Sequence, residues 1–160
     1  MDRMAEALWF GLERSNLFIG FFSQGMVGED WLRRPPGVPN PAIWTLGHLA
    51  YQRALVLEML TGKRTYDETW VELFEMGCEV REPEHYPDEV TCRAFLDARL
   101  QDLKAYLDTA DAEDLDSPPC LPSKFFKTKA AVLVHLTHHE AHHTGNLALL
   151  RRLLGKDKVL

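Results

Sequence analysis

The chain has little cysteine. Cys78, Cys92 and Cys120 are the only three in 160 residues, odd in number and widely spaced. That excludes a disulfide framework and a CxxC zinc knuckle, so three reduced thiols are expected. Positive charge is not in surplus either: Lys+Arg number 18 against 24 Asp+Glu, the formal charge is −6, and no basic stripe appears. Nucleic acid is therefore not an expected partner. No apolar run approaches the roughly 20 residues of a bilayer span, so no membrane partner is expected. The opening MDRMAEALWFGLER has no basic start, apolar run or small-residue cleavage site, and this leads to a cytoplasmic expectation. Also missing are internal repeats, low-complexity tracts, a Gly-rich phosphate loop and strand-like alternation, which removes the nucleotide-binding α/β and repeat classes.

What is present is a balanced globular composition, 46% hydrophobic and 26% charged, in a length that suits a single domain over residues 1–160. Helix formers dominate from Arg3 to Gln24, and Gly25 offers a stop. Trp9, Phe10, Leu12, Leu17, Phe18, Ile19, Phe21 and Phe22 cover more than one face of that helix. Either its own domain wraps it or part of it meets a second subunit. After the proline-rich WLRRPPGVPN, Asn40 as N-cap and Pro41 at the first helical position start a second helix, which Gly62 ends near Thr61. It is apolar on two sides, as a central helix or one at a dimer contact would be. Tyr66 to Pro87 is acidic and irregular, with a short turn expected between Glu68 and Met76 and His85 read as a surface residue. A one-sided third helix follows Asp88 and runs to about Thr109. A second long connection, Asp111 to Lys127, leads to a final helix capped by Thr128 and ending at Gly155. The expected fold is all-α, a four-helix bundle with long crossover connections.

The final helix carries five of the seven histidines: His135, His138, His139, His142 and His143. On a helical wheel all five fall in an arc of roughly 140° and are expected to look inward, with Thr137, Glu140, Thr144, Arg151 and Arg152 mostly opposite. Imidazoles four residues apart can share one metal ion. His135, His139 and His143 cannot all do so, because the outer two are about 12 Å apart along the axis. The apolar neighbours Val132, Leu136 and Leu150 centre the buried face near His139 and His143. His135, His138 and His142 remain open as a second site or as substitutes. In the second helix, His48 shares a face with Trp44, Thr45, Gln52, Leu55 and Met59. A lone histidine there is most simply a hydrogen-bonded core residue. Bundles build metal sites from facing helices, however, and His48, His139 and His143 form a candidate three-imidazole site.

The stretches NPAIWTLGHLA (Asn40 to Ala50) and HEAHHTGNLALLRRLLG (His139 to Gly155) resemble the DinB/YfiT-like superfamily of metalloenzymes, with its W-x-x-x-H and H-x-x-x-H-x-G-Q patterns. The resemblance implies a metal triad on His48, His139 and His143, with the family glycine on Gly145. Asn146 stands where that family usually has glutamine.

Three neutral imidazoles leave an ion at least one open position, as catalytic sites do. A bound water is acidified towards about pH 7, which would serve a hydrolase; a bound thiol is deprotonated outright, which would serve a transferase. The resemblance favours an S-transferase using a low-molecular-weight thiol such as bacillithiol, mycothiol or glutathione, acting on a small-molecule substrate. A metal-dependent hydrolase is the alternative. A non-catalytic metal-binding helical homodimer is the third expectation. Zinc or nickel, or else iron, suits such ligands. Gln52, Asn146 and Tyr51 are candidates to orient what binds, whereas Glu140 is expected to face outwards.

Overall fold

A computed structural model describes residues 2–159 of the chain. Among them are six α-helices and no strand: α1 (Arg3–Ser23), α2 (Ala42–Thr61), α3 (Glu68–Phe74), α4 (Glu89–Thr109), α5 (Ala112–Asp116) and α6 (Lys129–Leu153). The long helices α1, α2, α4 and α6 make the bundle, and α3 and α5 lie in its long connections.

Local chemistry sets most of the helix ends. The Asp88 side chain accepts from the Thr91 N–H at the start of α4, and the Thr128 hydroxyl accepts from the Ala131 N–H at the start of α6. Each satisfies one of the donors that a first helical turn leaves open. Gly62 takes a left-handed conformation, φ 73°, and its N–H closes α2 on the Glu58 carbonyl. The expected cap of α2 is corrected by one residue. Thr45 donates to the carbonyl of Pro41, so Pro41 rather than Asn40 holds the N-cap position, and no side chain caps the helix there.

The bundle closes in the order α1, α6, α2, α4, with each helix packed on the next and α4 back on α1. Two apolar clusters fill it. One joins Ile43, Leu46 and Tyr51 of α2 to Ile19, Leu96, Leu147 and Leu150. The other joins Val56, Leu57 and Leu60 of α2 to Leu8, Leu12, Leu103, Leu107, Leu133 and Leu136. The early part of α2 thus meets the late part of α6, so these two helices run antiparallel. By the same logic α2 and α4 run parallel, which is why the connection carrying α3 must cross the length of the bundle.

Helix α2 is the central element, with Ala42 to Ala50 buried without a break. Its apolar surface on two sides is explained by α4 and α6, which flank it. Helix α1 is different: Phe10, Leu17 and Phe21 remain exposed along it.

Candidate metal centre

The site begins at a glycine. A Cβ on Gly47 would lie 2.2 Å from the ring of Phe74, so only the bare backbone lets that ring sit on α2. Phe74, the last residue of α3, is fully buried, and its carbonyl oxygen is 2.6 Å from Nδ1 of His48. A carbonyl only accepts, so Nδ1 carries the proton and Nε2 presents a lone pair. One turn earlier, Trp44 stacks on the His48 ring at 4.5 Å between centroids and 11° between planes. The imidazole is held on one side by an aromatic face and behind by a carbonyl, as metal-ligating histidines commonly are.

Helix α6 brings the other two rings. His139 Nε2 is 2.9 Å from His48 Nε2, and the His143 ring lies 4.7 Å from that of His48 and 4.5 Å from that of His139. One ring nitrogen from each of the three lies within 4.8 Å of the others. His139 Nδ1 and His143 Nδ1 are buried without a hydrogen-bond partner among the described residues.

The electrostatics keep this cluster uncharged. Burial, reinforced by the neighbouring His143 and His48, pushes His139 down to about 3. Burial, then His48 and His142, takes His143 down to about 4. His48 is also lowered by burial, against the opposing pull of the Phe74 carbonyl. Neutral imidazoles with converging ring nitrogens, two of them with a second ring nitrogen left without a partner, are a donor set that fits a divalent transition metal.

The remaining histidines are not part of it. The expectation that all five imidazoles of α6 look inward is corrected: His135, His138 and His142 are exposed. His138 Nδ1 donates to its own helix at the Val134 carbonyl, 2.9 Å away, His142 Nε2 lies 3.5 Å from the Asn146 amide, and His135 packs on Phe126. The buried face of α6 runs instead through Val132, Leu136, Glu140, Thr144 and Leu147. Glu140, expected outside, is fully buried because Arg53 of α2 meets it with two hydrogen bonds. Thr144 turns its hydroxyl back to the Glu140 carbonyl, and Arg151, also placed outside, is buried and donates to the carbonyls of Asp157 and Gln24. Polar residues that satisfy one another inside the bundle reverse the face that hydropathy alone assigns.

Of the residues considered for orienting a ligand, Asn146 lines a small cavity with Trp44, Thr45, His143 and the loop Gly37 to Asn40. Trp44 also has a buried indole N–H with no partner among the described residues. Tyr51 points its ring at Tyr66 instead, 5.2 Å away, and Gln52 is half-buried. Gly145 is exposed, and a Cβ there would meet nothing within 4 Å. The three cysteine thiols are free and engage the backbone carbonyls of Leu73, Pro87 and Leu60.

Gly47, Phe74, Arg53 and Glu140 went unread as functional in the sequence. A glycine inside a helical run and a lone arginine in the apolar stretch around it were the available signals. Phe74 gave none, because its contribution is a backbone oxygen.

An all-α bundle with a partly buried three-histidine cluster shared between two of its helices defines the class of protein. The DinB superfamily model matches residues 23–147. The chain belongs to the DinB superfamily. No curated protein matches it. Among solved structures it is similar to a conserved protein of Enterococcus faecalis, at 20% identity and a TM-score of 0.75, over 98% of this chain and 99% of that one. Both the superfamily and the cluster fit a metal-binding enzyme.

Proposed function

We propose that His48, His139 and His143 hold a divalent transition metal, zinc or nickel before iron, and that the protein is an S-transferase using a low-molecular-weight thiol. The observation that supports this most is the convergence of three uncharged imidazoles from two helices, with no carboxylate among them. When bound, such an ion acts as a Lewis acid that lowers the pKa of a thiol or water at an open position. Hydrolysis by activated water usually draws on a carboxylate as general base. Glu140, which directly follows His139 in sequence, is committed to Arg53. A thiol is acidic enough to do without that help.

The chain's own residues then hold and orient. Phe74 fixes the tautomer of His48, and Trp44 fixes its ring. Trp44 and Asn146 line the cavity beside His143, and the Asn146 amide suits a polar atom of a small-molecule substrate. The thiol proton passes to bulk water, with no general base required. Sulfur forms the new bond to the electrophilic carbon as the leaving group departs with the old bonding pair.

The protein is read as one cytoplasmic domain acting as a homodimer through the exposed Phe10, Leu17 and Phe21 of α1. No helix among the described residues is long and apolar enough to cross a membrane. The test is zinc-loaded protein with glutathione, bacillithiol or mycothiol against an electrophile such as monochlorobimane. Thiol-dependent conjugation that disappears in His48→Ala supports the transferase. Ester or amide hydrolysis without a thiol would support the hydrolase instead, and neither reaction with metal retained would support a non-catalytic metal-binding dimer.

A further inference from the structure

The five histidines of α6 do not by themselves specify which pair meets His48. A slide of α6 by four residues would present His135 and His139 at the same spacing, and a rotation by one residue would present His138 and His142. Something else must fix the register.

A buried polar layer separates the two apolar clusters, with one member from each long helix. Arg53 Nε and Nη2 meet the two carboxylate oxygens of Glu140 at 2.6 and 3.1 Å, and both side chains are fully buried. Arg53 Nη1 also donates to Asn16 Oδ1 of α1 at 3.0 Å and to the Leu96 carbonyl of α4 at 3.1 Å. On α2 the arginine lies five residues beyond His48, and on α6 the glutamate directly follows His139. Helical side chains lean towards the N-terminus, which brings the guanidinium back towards the level of His48. In angle, His48 and Arg53 are about 140° apart around α2, and His139 and Glu140 about 100° apart around α6. The two contacts therefore hold different sides of one helix pair.

We infer that Arg53 and Glu140 are positioning residues for the three-histidine site, selecting His139 and His143 over the other histidines of α6. This rests on the metal-site reading only for its consequence, since the register itself is a property of the metal-free protein. A fork of two parallel hydrogen bonds has one geometry, unlike an apolar contact, which tolerates sliding. A slide of α6 by four residues would put Leu136 or Thr144 opposite Arg53 and leave a buried guanidinium without its anion. Buried ion pairs are commonly no more stabilising than an apolar replacement of similar volume, so register rather than stability accounts for this one.

The experiment uses Arg53→Met/Glu140→Leu, with Arg53→Lys as a second variant that keeps the charge and loses the fork. Thermal melts report folding. Nuclear Overhauser contacts between histidine rings in the metal-free protein report register, and zinc titration reports the site. The expected result is a folded double variant in which the His48–His139 contacts weaken and contacts from His48 to His135 or His138 appear. Zinc affinity should fall about 10–100-fold, the range for losing a group that orients a ligand. Should the double variant fail to fold, Arg53→Lys is expected to show the same two changes. A folded variant of either kind with ring contacts and zinc affinity unchanged overturns the inference. If wild-type zinc binding proves indifferent to His48→Ala, the metal-site reading fails, and the ring contacts alone then decide the register: their change supports the positioning role and their persistence overturns it.

Discussion

The carbonyl oxygen of Phe74 accepts from Nδ1 of His48 at 2.6 Å, across 26 positions of sequence and from a helix of only seven residues. The contact exists because Gly47 leaves room for the Phe74 ring. Gly47→Ala is therefore expected to cost about 1–3 kcal/mol of stability, as overpacking of a filled core does. It should also weaken zinc binding by about 10–100-fold, because the orienting carbonyl moves with its ring. Thermal denaturation and a zinc titration check the two effects. A stable variant with wild-type affinity would show that the close approach has no bearing on His48.

Acid should destabilise the metal-free protein in a defined window. His139 and His143 titrate near 3 and 4 in the fold because burial and neighbouring imidazoles oppose their protonation. In the unfolded chain they titrate near the usual value of about 6.5. Between those limits the unfolded state binds protons that the folded state refuses, so stability falls as the pH drops below about 6.5 and levels off below about 3. Denaturant melts from pH 7.5 to 4 should show this loss, and His139→Ala/His143→Ala should flatten it.

Chelation should leave a folded protein. The two apolar clusters draw on all four long helices without help from an ion. A ligand present at about 100 times its dissociation constant adds about 2.7 kcal/mol, which for a chain of this size is roughly 5–10 °C of melting temperature. Loss of helical circular dichroism on chelation would instead give the metal a structural role.

The exposed face of α1 makes a prediction about assembly. Phe10 and Leu17, seven residues apart on one side of α1, are 58% and 41% exposed. Phe10→Glu/Leu17→Glu should convert a dimer to a monomer in light scattering with little loss of helicity. A wild-type protein that is already monomeric at tens of micromolar would remove the basis for the homodimer.

The four long helices were legible because their apolar spacing, caps and stop glycines are local signals, and Asp88, Thr128 and Gly62 act as such signals should. The convergence of His48, His139 and His143 was legible through spacing and the motif around them. Hydropathy spacing puts Glu140 on the outer face of α6, because a glutamate counts as polar until its partner is known, and the structure buries it. That partner, Arg53, is 87 residues away in sequence. The part played by Phe74 could not be read at all, since a backbone carbonyl carries no side-chain identity.

The most direct test of the central claim is the metal content of six single alanine variants, measured by elemental analysis on protein purified with zinc. His48→Ala, His139→Ala and His143→Ala should each lose the ion, with affinity falling more than the about 10–100-fold that follows loss of an orienting group. His135→Ala, His138→Ala and His142→Ala should keep one ion per chain. Retention of metal by His143→Ala together with its loss from His138→Ala would contradict the site described above.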